Sequence, residues 1–440
     1  MESVFKEITE FILGELKPEE KLILSFSGES SLFVRINESK IRQIGHVVDG
    51  DISIELFINH RTATHNISLS LDNDTNKTNI LDEMNKMRGY IPALPEDPYI
   101  VLPKSGESSR EIIEGKIPEA NEIIKEFLYP LESVDSSGIW ASGKIYRGSA
   151  NSEGQFHWFE TENYSFDFSL ITPDHKMVKE TYAGNLWDRQ KYQSFIQKSI
   201  HKLEKLSSEN VSLKPGNYRT YIAPAGVADL LSMFNWNGLS ESSIRQGGSS
   251  FCKMRNEDLK LNSKFNFRED FNLGLIERFN SCGELTPKKI DLIANGILKS
   301  TLISSRCALE HNLISNQAEN SETVRSPIMS EGNVPDDKIL QEIDNGIYLS
   351  NLHYLNWSDN TNGRITGMTR YACYLIENGE ISSPISQMRF DDSFYHFFGD
   401  KLDKISSNSE IIPNVSTYGR RELGGIKCPG VIIDDFALTL

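Results

Sequence analysis

Between Asn345 and Ile381 the chain reads NGIYLSNLHYLNWSDNTNGRITGMTRYACYLIENGEI, and no other stretch constrains the fold as much. Ile347 to Tyr354 is rich in β-formers, and so is Thr369 to Ile376. Asn378-Gly379 stands between Leu375-Ile376 and Ile381, the strongest short-range hairpin signal that a sequence offers. The pattern predicts strand, loop, strand, tight turn, strand. The predicted loop holds Asp359, Asn360, Asn362 and Gly363, residues that accept turns or positive φ. Arg364, Thr366, Gly367, Thr369 and Arg370 follow closely, small and cationic groups of the kind that bind from a polar loop on a rigid sheet.

Upstream, Val4, Phe5, Ile8, Phe11 and Ile12 recur at helical spacing, and Pro18 lies just beyond, as a helix stop should. Five short β-rich runs come next: 21–26, 31–36, 41–48, 51–58 and 62–71. In the fourth, Ile52, Ile54, Leu56 and Ile58 alternate strictly, which buries one face. Helices are predicted over 73–89, 118–129 and 187–206, and strands over 138–147 and 155–170. The second of these strands carries Phe156, Trp158, Tyr164, Phe166 and Phe168, which read as core, with an aromatic cleft as the competing reading. The polar segment 207–216, with Pro215-Gly216, is where a domain boundary is expected. Beyond it come a strand at 218–222, a helix at 226–234 and a type I′ hairpin about Asn295-Gly296. Residues 305–331 are polar and weakly periodic and predict a mobile loop; 334–341 predicts a short helix and 430–436 a last strand. The fold class is therefore α+β in two domains. Residues 1–212 give a helix plus antiparallel meander, and 213–440 a largely antiparallel β domain with a few helices.

At 440 residues, two cores are the default. The opening MESVFKEITEFILGELKPEE carries acids where an export signal has cations, and no apolar run approaches the roughly 20 residues of a membrane span. Cys252, Cys282, Cys307, Cys373 and Cys428 are widely spaced, odd in number and form no CxxC, which predicts a reducing cytoplasm. A formal charge of -16 lowers the case for nucleic acid and suits neutral or cationic partners.

The run TGMTRYACYLIENGEI, preceded by NGIYLSNLHYLNWSDN, resembles the C-terminal signature of the TldD/PmbA family. Phe33 to Asn37 followed by Ile41-Arg42-Gln43 resembles its N-terminal strand pair. Gly238-Leu239-Ser240 with Ser243 to Gly247 resembles a segment of its second domain, and the resemblance covers most of the chain. It implies peptide processing or degradation. In the TldD branch a helix opening the second domain carries HExxxH, two zinc-holding His and a Glu that activates water. The helix here resembles PAGVADLLSMFNW, 224–236, with Asp229 but neither His nor Glu. His60 and His65 have the motif's spacing, but Arg61 replaces the Glu, and a β run would put the rings on opposite faces.

The resemblance is thus to the TldE/PmbA branch, the partner without the metal motif. It implies a heterodimer with a TldD-like subunit, or a homodimer, with zinc held by the partner and no cofactor bound by this chain; the charge and the lack of a long apolar run separately predict no nucleic acid and no membrane. The second reading is a stand-alone binding or assembly protein, and a third is an enzyme using Cys282 or Cys428. The expected peptide contacts are Arg364 and Arg370, since Arg grips carboxylates with two donors, together with Thr366, Gly367, Thr369, His353, Arg245 and Gln246. A loop-holding salt bridge competes for the arginines, a core hydrogen bond for His353, and a turn without ligand for the Arg245–Gly248 segment.

Overall fold

A computed structural model describes residues 1–440. The helix α1 (Glu2–Gly14) buries Phe5, Ile8 and Ile12, as the spacing predicts. Behind it run β1 (Glu20–Asn37), β2 (Lys40–Ile58) and β3 (Arg61–Ser68), closed by α2 (Asn73–Tyr90). The five expected runs are three long strands. The breaks foreseen at Ser27–Ser30 and Asp49–Gly50 are not turns. The Phe26 ring lies across both glycines: a Cβ on Gly28 would come within 2.8 Å of it, and one on Gly50 within 2.9 Å.

After β4 (Ser109–Ile113), the same order recurs: α3 (Ala120–Leu128), β5 (Asp135–Asn151), β6 (Phe156–Ile171), β7 (Met177–Gly184) and α4 (Arg189–Leu206). The two meanders join edge to edge through an antiparallel β1–β5 pair running from Ile23↔Asn151 to Ile36↔Gly138. The first sheet is thus β3-β2-β1-β5-β6-β4, with β7 also on β6, antiparallel except for the parallel β4–β6 pair. Trp158, Tyr164, Phe166 and Phe168 are buried in its core.

The second sheet begins with β8 (Gly216–Ile222), followed by α5 (Pro224–Ser232), α6 (Glu241–Arg245) and α7 (Cys252–Asn256). Strands β9 (Phe267–Asp270), β10 (Lys289–Ala294) and β11 (Ile297–Leu298) extend it. Asn295 (φ 51°) and Gly296 (φ 73°) make the expected tight turn. The expected mobile loop holds α8 (Ser305–His311) and β12 (Pro327–Met329). Some of its polar residues are buried: Glu322, 3% exposed, accepts from Ser240 Oγ at 2.6 Å, Ser242 N at 2.9 Å and Ser304 N at 2.9 Å. Polarity there signals buried hydrogen bonding, which satisfies the carboxylate.

After α9 (Ile339–Ile343) come β13 (Gly346–Asp359), β14 (Arg364–Glu377), β15 (Glu380–Pro384), β16 (Arg389–Ser393), β17 (Leu402–Pro413) and β18 (Gly425–Leu438). Strand β8 pairs with β13 on one side and β18 on the other, so β8, β13, β14, β16 and β18 close on themselves. The β8–β13 and β12–β18 pairs are parallel, which makes this sheet mixed. One apolar cluster spans both sheets, joining Trp140, Phe166 and Ile196 to Tyr221, Tyr374 and Ile432.

Gly346 opens β13 against β8, and a Cβ there would stand 2.1 Å from the Arg219 carbonyl oxygen, a backbone atom. Gly346→Ala is expected to cost about 2 kcal/mol through overpacking, read as a lower urea midpoint at unchanged slope.

Candidate functional site

The site is organised by how α5 meets β13. Pro224 occupies the first turn of α5, where its missing N–H costs nothing. Just before it, Ala223 N donates to Leu349 O at 2.9 Å. Strand β8 pairs with β13 only at Ile347, Tyr348 and Leu349. The next inward-facing amide, Leu352 N–H, donates to Asp229 Oδ2 at 3.1 Å. The Asp229 carboxylate thus stands where a neighbouring strand would offer a carbonyl. Burial pushes its pKa up to about 7, and the Leu352 hydrogen bond only partly offsets this. Beyond Leu352, β13 has no strand on this side through Asp359. At this open edge Tyr354 is 75% exposed with φ 52°, and the register shifts between His353 and Asn356.

The residues from Arg364 to Arg370 lie on strand β14, not in a loop, so they alternate between faces. Thr369 is buried, and its Oγ1 accepts from Met388 N at 3.0 Å. Gly367 is also on the core face, where the Phe390 ring fills the space of a Cβ, 2.6 Å away. These two shape the core and present no side chain outward. Arg364, Thr366 and Arg370 face outward. The register sets His353 across from Met368, with Arg389 on that residue's other side, and Asn351 across from Arg370. His353, for which a core hydrogen bond is the competing reading, is half-buried, its ring 4.0 Å from the Tyr354 ring, because β13 has by then run past β8.

Arg364 makes an ion pair with Asp391 at 2.8 Å, the competing reading of that residue. Thr366 Oγ1 donates to Phe390 O at 3.0 Å and accepts from Arg389 Nε at 3.0 Å. Arg370 lies over the Tyr371 ring, 5.1 Å from its centroid, and neither it nor Arg389 has a carboxylate partner. Arg245 is spent on Glu241 at 2.7 Å, while Gln246 is exposed. The loop after them does reach the hairpin tip, where Asn360 Nδ2 donates to Gly248 O at 2.6 Å. Sequence reasoning singled out neither Arg389 nor the strand-capping role of Asp229; the signal for the latter was a lone acid in an otherwise apolar helix.

The cysteines are free, and all but Cys252 are buried. Burial pushes the Cys282 thiol up to about 12 and raises that of Cys428 too, the opposite of activation. His157, which meets the Cys282 loop at Gly283 O at 2.9 Å, has its other nitrogen on Ser109 Oγ at 2.8 Å.

Fold and site together define a two-domain α+β chain whose second sheet offers an open strand edge beside a cationic face. The family model described as PmbA/TldA metallopeptidase C-terminal domain matches residues 215–440, and the chain belongs to that family. Solved structures share the whole fold. TldE from Thermococcus kodakarensis aligns with a TM-score of 0.78 at 14% identity, over 99% of this chain and 100% of that one. A protein from Thermotoga maritima described as a candidate DNA gyrase modulator gives 0.77 at 13%, over 99% and 100%. One of like description from Bacteroides thetaiotaomicron gives 0.76 at 16%, over 100% and 98%. No curated protein matches the sequence.

A metallopeptidase family implies a metal, and the residues do not fit one. Asp229 is the sole ionisable side chain of α5. His60 sits in a turn at φ 58°, and His65 lies on β3, its Nδ1 3.4 Å from Glu83. No three His, Cys, Asp or Glu side chains converge as a ligand set.

Because the folded Asp229 binds its proton more tightly than the unfolded one, its burial costs nothing below the unfolded pKa. Its contribution to stability is lost as pH rises toward about 7. Asp229→Asn is therefore expected to gain on the parent by on the order of 4 kcal/mol between pH 4 and pH 8, measured by urea unfolding at both pH values. An unchanged difference at the two pH values would mean that Asp229 titrates normally.

Proposed function

We propose that this chain is a TldE-like subunit of a peptide-processing metalloprotease system, one that binds extended peptide while a TldD-type partner holds the zinc and hydrolyses. The observation that carries this reading is Asp229. On the helix that resembles the zinc helix, this chain places one carboxylate and commits it to the Leu352 amide. That arrangement caps the β8–β13 pairing and leaves the rest of β13 free.

An unpaired edge recognises main chain. Peptide N–H and C=O groups add to it as another strand, which accepts many sequences, and the neighbouring face selects among them. Here that face carries Arg370 and Arg389 without carboxylate partners, beside His353 and Asn351. It favours peptides bearing acidic side chains or a free carboxylate, which guanidinium groups grip with two donors. The rest of the chain is acidic, with a formal charge of -16, which opposes binding to nucleic acid and gives no support to a direct grip on DNA. Its unpaired cysteines suit a cytoplasmic site of action.

Purified alone, the chain is expected to carry no stoichiometric zinc by elemental analysis and to cleave no unfolded peptide. Mixed with a TldD-type subunit it should form a stable complex and support chelator-sensitive cleavage. Peptidase activity of the isolated chain that a chelator abolishes would overturn the reading. Complex formation that never yields cleavage would favour a stand-alone binding or assembly protein. Arg370→Ala is expected to weaken binding of an acidic unfolded peptide by about tenfold at unchanged stability, measured by fluorescence anisotropy.

A further inference from the structure

The face of the first sheet that meets the second domain is apolar where Ile145 and Phe159 pack on Phe279 and Leu423, but beside that contact it is polar where a covered face is ordinarily apolar. Asn66, Ser53, Ser25 and Ser149 form one row across β3, β2, β1 and β5. Asp51, Ser27 and Arg147 form the next. Glu277 to Ser281 and Glu319 overhang these rows and border a cavity of ≈ 360 Å³ that is partly open to solvent. That is far beyond the roughly 10–15 Å³ that admits one water.

Several groups lining the cavity lack partners. Ser149 is 2% exposed and its Oγ has no hydrogen bond. Glu277 Oε2 is enclosed and likewise unpaired. Arg147 donates only to the adjacent Tyr146 carbonyl, at 2.9 Å, and has no carboxylate oxygen within 4.0 Å. Burial lowers its pKa, and Glu277 is the acid that most offsets this. A guanidinium and a carboxyl group thus face one cavity without meeting; burial raises the Glu277 pKa as it lowers that of Arg147, so each charge is disfavoured unless something bridges the two. The other acids are committed: Asp51 to Arg420 at 2.8 Å, and Glu319 to Ser281 N at 3.0 Å.

These groups restrict the occupant. A metal ion finds no set of three ligands. A phosphate would face Asp51, Glu277 and Glu319 with one arginine in its favour. A simple amine would leave Arg147 unpaired. We propose that this inter-domain cavity binds a small zwitterion, a free α-amino acid or a dipeptide, with its carboxylate on Arg147, its ammonium on Glu277 and a hydrogen bond to Ser149. Such molecules are the products of peptide breakdown, but the site stands apart from the β13 edge and does not depend on the function proposed there.

Calorimetric titration of the full chain with the common amino acids and with Ala-Ala tests this. N-acetyl amino acids and amino acid amides serve as controls. Saturable binding is expected for the free amino acids, the dipeptide or both, and the better arm identifies the source. Blocking either end should weaken it by about tenfold or more, because each charge then loses its partner. Glu277→Gln should do the same, and Ser149→Ala should weaken it about threefold with an unchanged urea midpoint. No saturable heat up to about 10 mM of any ligand, or equal binding of the blocked forms, would overturn the proposal. Should Glu277→Gln fail to fold, the blocked ligands on the unaltered chain still decide.

Discussion

Strand β8 is hydrogen-bonded to β13 at Ile347–Leu349 and to β18 at Val431–Ile433, and the second domain depends on that double pairing. Partners so distant in sequence carry a high loop-closure cost, which only cooperative burial repays. The repayment is visible: Ile222, Ile347, Leu349, Val431 and Ile433 share one buried cluster with the α5 residues Val227, Leu230 and Leu231. Since α5 leaves β8 directly, closing the ring also fixes where α5 lies and which side of β13 it covers.

That placement decides the chemistry. A Cβ on Gly226 would stand 2.7 Å from Ile222 Cγ2 on β8 and 3.6 Å from Leu352 on β13, so the helix is held hard against β8 and in contact with β13. Close approach buries Asp229, and burial rather than any neighbouring charge lifts its pKa. The same helix that resembles a zinc helix becomes a cap on a strand edge. The arginines of β14 and β16 then lie beside a free edge.

Much of the fold was legible because its signals are local. The helices α1, α2, α3 and α4 follow from apolar spacing and from Pro and polar caps. The Asn295-Gly296 and Asn378-Gly379 turns follow from residues that accept positive φ, and all four adopt it. The site was legible only in part. Arg364, Thr366, Arg370 and His353 do share an outward face. Thr369 and Gly367 do not, because alternation along β14 turns them inward, and Arg245 is held by a carboxylate one helical turn away. The β-rich runs broke at the segments holding Gly28 and Gly50 because sequence cannot show an aromatic ring from Phe26 lying over both.

The amino-acid order by itself determined the long helices, the two Asn-Gly turns, the split into a helix-and-meander half and a β-rich half, and the lack of His and Glu on α5. Those properties rest on period, propensity and residue identity within a few positions. Only the tertiary structure decided that Asp229 would titrate near neutrality, that β13 would keep an open edge, and that two polar strand rows would border a cavity. Each of these depends on what a distant segment places against a residue, and burial by remote neighbours leaves no mark on local sequence.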